Sequence, residues 1–333
     1  MHALRIMATA NSYLDLVNEV DNFPYHDSES EQKESGTKVY YKFTCDGDPA
    51  VLGYVHPEVA KRLPHSSILS VHDETRQVVF RPHDMQEHQH DAAQHRTNLF
   101  AKYLQEVREA GIFEVLKGWR NEMYPIYGSS AKNELLFSME RSASALFGIV
   151  TYGVHMTAYV EETEGIKIWT PRRADSKSTY PGMLDNTVAG GLPTGEMPFD
   201  CLLRESMEEA SLPEDISRQA KSCGTMTYFH LRDNRAGGEV GLCQPECQFV
   251  YYLVLPKHVL PRPGDDEAVD FQLMTVQQVQ EAMAQGRFKP NCALLLIEFF
   301  VRHGIITPED EPDYLEIVHR IHRRLDFPMG QAR

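Results

Sequence analysis

The sequence lacks three features that would place it in a special class of protein. It has no apolar run long enough to cross a bilayer, and its longest candidates, such as CALLLIEFFV, are short and interrupted. Its six cysteines are scattered without the framework of a small disulfide-rich domain. No charged-then-apolar leader opens the chain. We therefore expect a reduced, cytoplasmic protein that does not enter a membrane.

Positive charge is also scarce in this sequence. The 333 residues include 33 Lys and Arg against 48 Asp and Glu, which gives a formal net charge of −15. Nucleic acids and anionic membranes require a basic surface, so neither is expected as a partner. A phosphorylated small molecule would need metal ions or a local basic patch.

Two parts of the chain are predicted to form separate domains. Residues 1–132 are predicted to form an α+β domain, with strands in KVYYKFTC, AVLGYV and QVVFRP and a helix in RTNLFAKYLQEVREAGIF. Residues 133–333 are predicted to hold strands in GIVTYGVHMTAYVEE, IKIWTPRR, CQFVYYLVL and VDFQLMTV. Helices in NCALLLIEFFVRHG and PDYLEIVHRIHRRL are expected to close this second domain.

The stretch AGGLPTGEMPFDCLLRESMEEASL places three acidic residues on one face of a short helix. Glu205, Glu208 and Glu209 stand at positions i, i+3 and i+4. Like-charge neighbours at this spacing cost roughly 0.2–0.5 kcal/mol per pair, and the helix dipole disfavours anions near the C-terminal end. A positive group is therefore expected at this face. Carboxylates beside a glycine-containing loop suit a hard cation such as Mg²⁺ or Mn²⁺.

The same stretch resembles the signature of the Nudix hydrolases. The residues that match in register are Gly190, Glu196, Arg204, Glu205, Glu208, Glu209 and Leu212. Ser211 departs from the signature, which usually has glycine there, and Ser206 is polar at a position that is normally aliphatic. Because the family glycine serves a turn, we expect Ser211 to end the helix. The resemblance implies an α/β protein, a Nudix α/β/α sandwich with an N-terminal α+β domain.

The resemblance covers nearly the whole chain in one branch of these hydrolases. Segments such as PGMLDNTVAGGLPTGE and FKPNCALLLIEFFVRHGIITPEDEPDY are similar to the Nudix portion of fungal thiamine pyrophosphokinase-related proteins. The chain ends soon after HRRLDFP, so a stand-alone form without the kinase domain is expected. The resemblance implies a diphosphatase that releases phosphate and a monophosphate from thiamine diphosphate. It also implies that the damaged forms, oxothiamine and oxythiamine diphosphate, are preferred as substrates.

The resemblance also implies roles for individual acidic residues. Glu205 and Glu209 are expected to bind the metal together with the carbonyl of Gly190, and Glu208 is expected to be a ligand or the base. Which glutamate takes the proton from water stays open. Glu267 stands where many relatives have another metal-binding or basic carboxylate, with an exposed acid in an acidic loop as the alternative.

Substrate contacts are expected on the strands and turns around the signature. Arg172, Arg173 and Lys177 are candidates for charge-assisted hydrogen bonds to the diphosphate, although a solvated basic turn is the alternative. Aromatic residues on strands more often belong to the core than to a binding site. The candidates for contact with a flat ring or its polar groups are Tyr152, His155, Trp169, Gln244, Glu246 and Asn291.

Other functions are compatible with the same residues. A metal site does not report what lies beyond the phosphates, so another nucleoside or prenyl diphosphate is an alternative substrate. A non-catalytic thiamine diphosphate sensor is the alternative of a different class, although the intact acidic face argues against it. A homodimer is an open expectation, and the sequence does not indicate a role for the N-terminal domain.

Overall fold

The computed structural model of the protein describes residues 10–25, 39–83, 85, 90–130 and 134–330. The helices are α1 Tyr13–Val20, α2 Pro57–Ala60, α3 Ala92–Glu109, α4 Ser144–Phe147, α5 Pro198–Ala210, α6 Glu214–Ser217, α7 Val276–Ala284, α8 Pro290–Arg302 and α9 Tyr314–Arg320. The strands are β1 Tyr41–Cys45, β2 Gly53–Val55, β3 Leu69–His72, β4 Gln77–Phe80, β5 Met123–Tyr127, β6 Leu135–Glu140, β7 Thr151–Glu162, β8 Gly165–Arg173, β9 Val188–Gly191, β10 Lys221–Leu231, β11 Cys243–Val254 and β12 Ala268–Thr275. Within the described ranges, no helix is both long enough and apolar enough to cross a bilayer.

The strands of the described ranges assemble into three sheets. The first has the order β2-β1-β4-β3, in which β1 and β4 are parallel. The second is the antiparallel pair of β5 and β6. The largest has the order β10-β11-β7-β8-β12, and β9 pairs with the first half of β7. Parallel pairing of β7 and β11 puts two long, mostly buried strands inside this sheet.

Helices cover both faces of the largest sheet. On one face, Cys201 and Leu202 of α5 pack in the same core as Val154 and Met156 of β7. On the other face, the core contains α8 together with residues of α1 and α7. Successive residues of a strand point to opposite faces, so β7 and β11 contribute to both layers. The predicted α/β/α sandwich is therefore confirmed, as is the N-terminal α+β unit, whose core combines the first sheet with α3.

The first helix packs against the large sheet and not in the core of the N-terminal unit. Leu16 and Val17 of α1 are buried in the core that contains α8. The buried carboxylate of Asp21, just after α1, forms ion pairs with Arg323 at 3.0 Å and Arg320 at 3.2 Å. These contacts fasten the first described segment of the chain to its C-terminal part. The boundary predicted between residues 132 and 133 falls outside the described residues and stays a prediction.

Candidate active site

Helix α5 carries the acidic face and ends at the residue expected from the sequence. Pro198 occupies the first turn, where its missing N–H is harmless. At the other end, Ser211 takes the left-handed conformation, with φ 51° and ψ 32°, and donates its N–H to the Met207 carbonyl at 3.2 Å. Serine therefore makes the left-handed turn that more often uses glycine.

Arg204 supplies positive charge to the acidic face. Its guanidinium lies 2.8 Å from Glu205 and 2.9 Å from Glu208, and two of its nitrogens contact Glu196, each at 2.9 Å. The side chain of Glu208 is 54% exposed, whereas that of Glu205 is only 14% exposed. The two carboxylates thus differ in solvation while sharing one cation.

Gly190 lies directly against the carboxylate of Glu205. A Cβ at Gly190 would overlap the Cγ and Cδ atoms of Glu205, so the close approach of β9 to α5 requires glycine here. Burial raises the pKa of Glu205, and the charges of Arg204 and Arg141 oppose that rise. The backbone of Gly190 and this carboxylate are therefore neighbours, as a shared metal site would require.

Glu209 completes the acidic cluster beside the same loop. Its carboxylate accepts a hydrogen bond from the Ala189 N–H at 2.8 Å. Burial, followed by the charge of Glu205, raises the pKa of Glu209 well above its ordinary value. Glu205 and Glu209 are partly buried, and their negative charges repel each other. Two such carboxylates provide oxygen ligands suited to a divalent cation.

The acidic cluster does not form a complete set of side-chain ligands for one metal ion. In the part of the chain that the structure describes, no three Asp, Glu, His or Cys side chains converge as ligands of one ion. Arg204 holds Glu205 and Glu208, and Glu209 bonds to backbone. The carboxylate oxygens of these glutamates and the backbone carbonyl of Gly190 nevertheless suit a hard divalent cation.

Glu267 lies near Glu209, in the acidic turn before β12, and its side chain is 38% exposed. Both residues line a small pocket, together with Arg173. Lys177 forms an ion pair with Glu267 at 2.5 Å. Burial alone would raise the pKa of Glu267, but the hydrogen bond and charge of Lys177 bring it below its ordinary value.

The cations predicted to bind the diphosphate are engaged by the protein itself. Arg173 is 9% exposed, pairs with Asp185 at 2.7 Å and donates to the carbonyl oxygens of Tyr180 and Thr179 at 3.1 and 2.9 Å. Arg172 is only partly exposed, and Lys177 is held by Glu267. The geometry therefore gives Arg173 a structural role, and a diphosphate contact by these three cations stays a prediction.

A cavity of ≈570 Å³ opens beside Gly190. Five of the predicted substrate residues line it: Tyr152, His155, Gln244, Glu246 and Asn291. The other four predicted residues are outside its wall: Arg172, Arg173, Lys177 and Trp169. Trp169 packs in the core that contains α5, as aromatic residues on strands usually do.

The floor of the cavity is built from alternate residues of neighbouring strands. On β11, Gln244, Glu246 and Gln248 share one side, because strand side chains alternate. Cross-strand pairing sets Tyr228 of β10 opposite Glu246 and His230 opposite Gln244. The alternating polar residues of CQPECQ were a sequence signal for this floor, although Gln248, Tyr228 and His230 were not predicted.

Hydrogen bonds on this floor converge on a buried carboxylate. Glu246 is 8% exposed and accepts hydrogen bonds from Tyr228 Oη, Gln244 Nε2 and, at 2.6 Å, Gln248 Nε2. Both ring nitrogens of His230 and the Oε1 atom of Gln248 are buried without a hydrogen-bond partner among the described residues. Buried polar atoms of this kind are normally satisfied, so the floor is prepared for a ligand with hydrogen-bonding groups.

His155 lies on the same side of the sheet and is held by a polar neighbour. Its Nδ1 atom is 3.0 Å from Asn186 Oδ1. Burial, followed by the charge of Lys289, lowers the pKa of His155 to about 4. His155 is therefore neutral at physiological pH and suits hydrogen bonding better than charge recognition.

The cavity is basic although the protein is acidic. Two acidic residues line it, Glu114 and Glu246. Five basic residues line it: Lys117, Arg120, Arg141, Arg232 and Lys289. None of the five was predicted as a site residue, because their assembly depends on contacts between distant segments. A local excess of positive charge suits an anionic ligand.

Comparison with known families divides most of the chain into two domains. Residues 15–151 match the domain of unknown function DUF4743, and residues 151–293 match the NUDIX domain.

Similar proteins occur in yeast and in plants. The uncharacterized protein YJR142W of Saccharomyces cerevisiae is 34% identical over 324 residues, which cover 95% of this chain and 92% of that protein. Nudix hydrolase 20, chloroplastic, of Arabidopsis thaliana is 38% identical over 230 residues, covering 69% of this chain and 58% of that protein. Nudix hydrolase 24, chloroplastic, of the same plant is 34% identical over 232 residues, covering 69% and 60%. The chain thus spans about three fifths of the length of the two plant relatives.

Proposed function

We propose that the chain, which contains a NUDIX domain and is similar to two plant Nudix hydrolases, is a Nudix hydrolase whose substrates are thiamine-type diphosphates. Oxothiamine and oxythiamine diphosphate are the preferred substrates in this proposal, and intact thiamine diphosphate is cleaved less efficiently. The products are the monophosphate and phosphate. The similarity to the Nudix portion of thiamine pyrophosphokinase-related proteins motivates the choice of substrate.

The observation that carries the proposal is the polar floor of the basic cavity beside Gly190. A volume of ≈570 Å³ lies in the range of small-molecule sites. The basic lining suits the phosphates, and Glu246, Gln248 and His230 offer hydrogen bonds to a heterocycle. Tyr152 adds an aromatic side chain to the wall.

The same floor argues against a prenyl diphosphate. A hydrocarbon chain would displace water from Glu246, Gln248 and His230 without replacing its hydrogen bonds. Each buried polar group left unpaired costs about 1–3 kcal/mol, so an apolar substrate would bind poorly. A nucleoside diphosphate derivative also has a hydrogen-bonding ring, and it is therefore included as a competitor in the test below.

The proposal assigns a divalent cation, Mg²⁺ or Mn²⁺, to the acidic face of α5. Glu205, Glu209 and the Gly190 carbonyl would hold it, with Glu208 as a further ligand or as the base. The close approach of Gly190 to Glu205 and the electrostatic repulsion between the Glu205 and Glu209 carboxylates support this assignment. When bound, the ion neutralises charge on the diphosphate and lowers the pKa of water.

The chain's own residues perform the remaining tasks in this proposal. Arg204 keeps Glu205 and Glu208 close together through its two short ion pairs. Glu208 is 54% exposed, so solvent water can reach its carboxylate beside the Arg204 ion pair, whereas the Ala189 N–H fixes the orientation of Glu209. Glu267 is placed to support Glu209 from the neighbouring pocket.

A panel of diphosphates tests the substrate assignment. The kcat/KM values for cleavage, measured by chromatography of the products of each compound, should rank oxothiamine and oxythiamine diphosphate above thiamine diphosphate, with ADP-ribose and geranyl diphosphate below all three. Equal values for the three thiamine compounds would indicate a general thiamine diphosphatase. Efficient cleavage of ADP-ribose or geranyl diphosphate, with none of a thiamine compound, would reject the thiamine assignment, and binding without turnover would indicate a sensor.

A cytoplasmic location and a homodimer also belong to this proposal. The six free cysteine thiols support a reducing compartment. Imaging of the tagged chain in fungal cells tests the location, and light scattering of the purified protein tests the dimer.

A further inference from the structure

The N-terminal domain, taken as the DUF4743 match over residues 15–151, forms the part of the cavity wall that faces the glycine loop. Tyr124 lies on β5, and Arg141 directly follows β6. A Cβ at Gly191 would overlap the hydroxyl of Tyr124 and lie 3.2 Å from Arg141 Nη1. The N-terminal hairpin therefore approaches β9 so closely that position 191 must be glycine.

Arg141 is positioned by its own domain and still reaches the cavity. Glu122 holds its Nη1 atom at 2.8 Å, and the guanidinium carbon lies 5.5 Å from the centre of the Tyr124 ring. The side chain is 36% exposed, and it lines the cavity with Gly190 and Gly191. One ion pair leaves most of the five N–H donors of a guanidinium available for a ligand.

Arg120 provides a second cation on the same wall. Its backbone N–H donates to Glu140 Oε1 at 2.9 Å, which fixes the loop immediately before β5. Its side chain is exposed, and no carboxylate lies within ion-pair distance of it among the described residues. The charge of Arg120 nevertheless acts on Glu267, which lines the pocket next to Glu209.

We propose that Arg141 and Arg120 bind the diphosphate of the substrate, so that the N-terminal domain completes the active site. Arginine forks match phosphate oxygens in geometry and charge. Arg173 and Lys177, the cations first predicted to bind the diphosphate, pair with carboxylates and lie outside the cavity wall, whereas Arg120 and Arg141 line the cavity and add positive charge to it. This inference rests on the proposed function only in requiring a diphosphate-containing substrate.

A purely structural role for Arg141 makes a different prediction. If the Glu122 ion pair only stabilises the hairpin, replacement of Arg141 lowers stability without affecting diphosphate binding. A binding role instead raises KM and weakens inhibition by a diphosphate analogue, even where the melting temperature is unchanged. The two roles are therefore separated by binding measurements on folded variants.

The experiment compares Arg141→Gln and Arg120→Gln with the wild type. Steady-state kinetics use a diphosphate that the wild type cleaves in the panel above, and methylenediphosphonate serves as the hydrolysis-resistant inhibitor. Each variant should raise KM and the inhibition constant about tenfold or more, as expected for loss of a charged hydrogen bond. Arg108→Gln is the matched control, because Arg108 stacks on Trp119 of the same domain and is outside the cavity wall.

Two further results keep the test decisive. If Arg141→Gln does not fold, Arg141→Lys takes its place, and the exposed Arg120 is tested in either case. Unchanged KM and inhibition constants in the folded Arg141 and Arg120 variants would overturn the inference. Cleavage of a diphosphate outside the thiamine group, with no cleavage of a thiamine compound, would reject the proposed substrate while leaving the arginine comparison valid.

Discussion

The acidic residues of α5 have different hydrogen-bond and ion-pair partners, so we expect their substitution to affect activity and stability differently. Arg204 contacts Glu196, Glu205 and Glu208, whereas the Glu209 carboxylate accepts a hydrogen bond from the Ala189 N–H. Removing the charge of Glu209 would relieve its unfavourable burial and its repulsion from Glu205. Substitution of Glu209 by a neutral residue is therefore expected to lower activity without lowering the free energy of unfolding.

We predict that Glu209→Gln lowers kcat at least ~100-fold and leaves the free energy of unfolding unchanged or higher. Glutamine keeps an oxygen to accept the Ala189 N–H but loses the anionic metal ligand. Glu208→Gln should also lower kcat severely, through loss of a ligand or base. Phosphate release and urea denaturation measure the two quantities.

Glu214→Gln is the control for these two substitutions. Glu214 lies on the neighbouring α6, where it forms an exposed ion pair with Arg218. Its replacement should leave kcat unchanged. Near-normal turnover of Glu208→Gln or Glu209→Gln in the presence of Mg²⁺ would show that the acidic face was assigned wrongly.

Glu246 is expected to determine which ring the cavity accepts. Its buried carboxylate accepts three hydrogen bonds from neutral donors and has no salt bridge among the described residues. Glu246→Gln should lower kcat/KM for a thiamine-type diphosphate about tenfold or more, the effect of losing a charged hydrogen bond to the ring. Methyl diphosphate, which has no ring, is the control substrate. Equal losses on both substrates would indicate a general structural defect and not ring recognition.

Individual site residues were predictable where the chemistry is local in sequence. Glu205 and Glu209 lie one helical turn apart and therefore share a face of α5. Gly190 lies near them because a short loop joins β9 to α5. The partners of Arg173 and Lys177 were not predictable, since Asp185 and Glu267 reach them through strand pairing. An arginine near a substrate site is indistinguishable in sequence from one that holds a loop.

Among the elements, the C-terminal end of α5 shows how a departure from the family signature is accommodated. Ser211 adopts positive φ, a conformation that costs a residue with a Cβ atom roughly 1–2 kcal/mol relative to glycine. The Leu212 N–H closes the turn on the Ser206 carbonyl at 3.1 Å. The turn is thus formed despite the strain.

Ser211→Gly is expected to raise the free energy of unfolding by up to about 1 kcal/mol. Relief of the left-handed strain exceeds the roughly 0.4–1 kcal/mol lost through the greater freedom of glycine in the unfolded chain. Activity should not change, because Ser211 carries no chemistry. Urea denaturation measures the effect, and a clear loss of stability would show that the serine side chain stabilises the turn.

The elements with strong periodicity were predicted correctly, as were the short strands β2 and β4, whereas β5 and β9 were missed. The strands in GIVTYGVHMTAYVEE and CQFVYYLVL and the helix in NCALLLIEFFVRHG correspond to β7, β11 and α8. β5 was missed because Pro125 lies within it, and proline is disfavoured in strands except at edges. β9, with the sequence VAGG, has too few side chains for an alternating pattern, and pairing with β7 defines it.

For the whole molecule, the contrast between overall and local charge is the main physical feature of the fold. A chain with a net charge of −15 repels anionic ligands at long range. The two domains overcome this repulsion by directing five basic residues into one cavity. Three of them, Lys117, Arg120 and Arg141, come from the N-terminal unit, so the domain arrangement itself is expected to set substrate affinity.

The arrangement also depends on the buried carboxylate of Asp21, which joins the segment after α1 to residues near the C-terminus. Asp21 is 1% exposed, accepts a hydrogen bond from the Phe229 N–H at 3.1 Å, and pairs with Arg320 and Arg323. Arg323 also donates to the Phe23 carbonyl. Removing one charge from such a network leaves the buried arginine uncompensated.

We therefore predict that Asp21→Asn lowers the free energy of unfolding by about 3–5 kcal/mol, the usual loss when one partner of a buried ion pair is removed. Glu316→Gln is the matched control, because Glu316 is an exposed acid 3.9 Å from the same Arg320 and exposed pairs contribute little. Urea denaturation of both variants measures the difference. A loss in Asp21→Asn no larger than that in Glu316→Gln would show that α1 is held by its apolar contacts alone. A large loss would show that the first and last described segments fold as one unit, which means that the N-terminal residues contribute directly to the stability of the hydrolase domain.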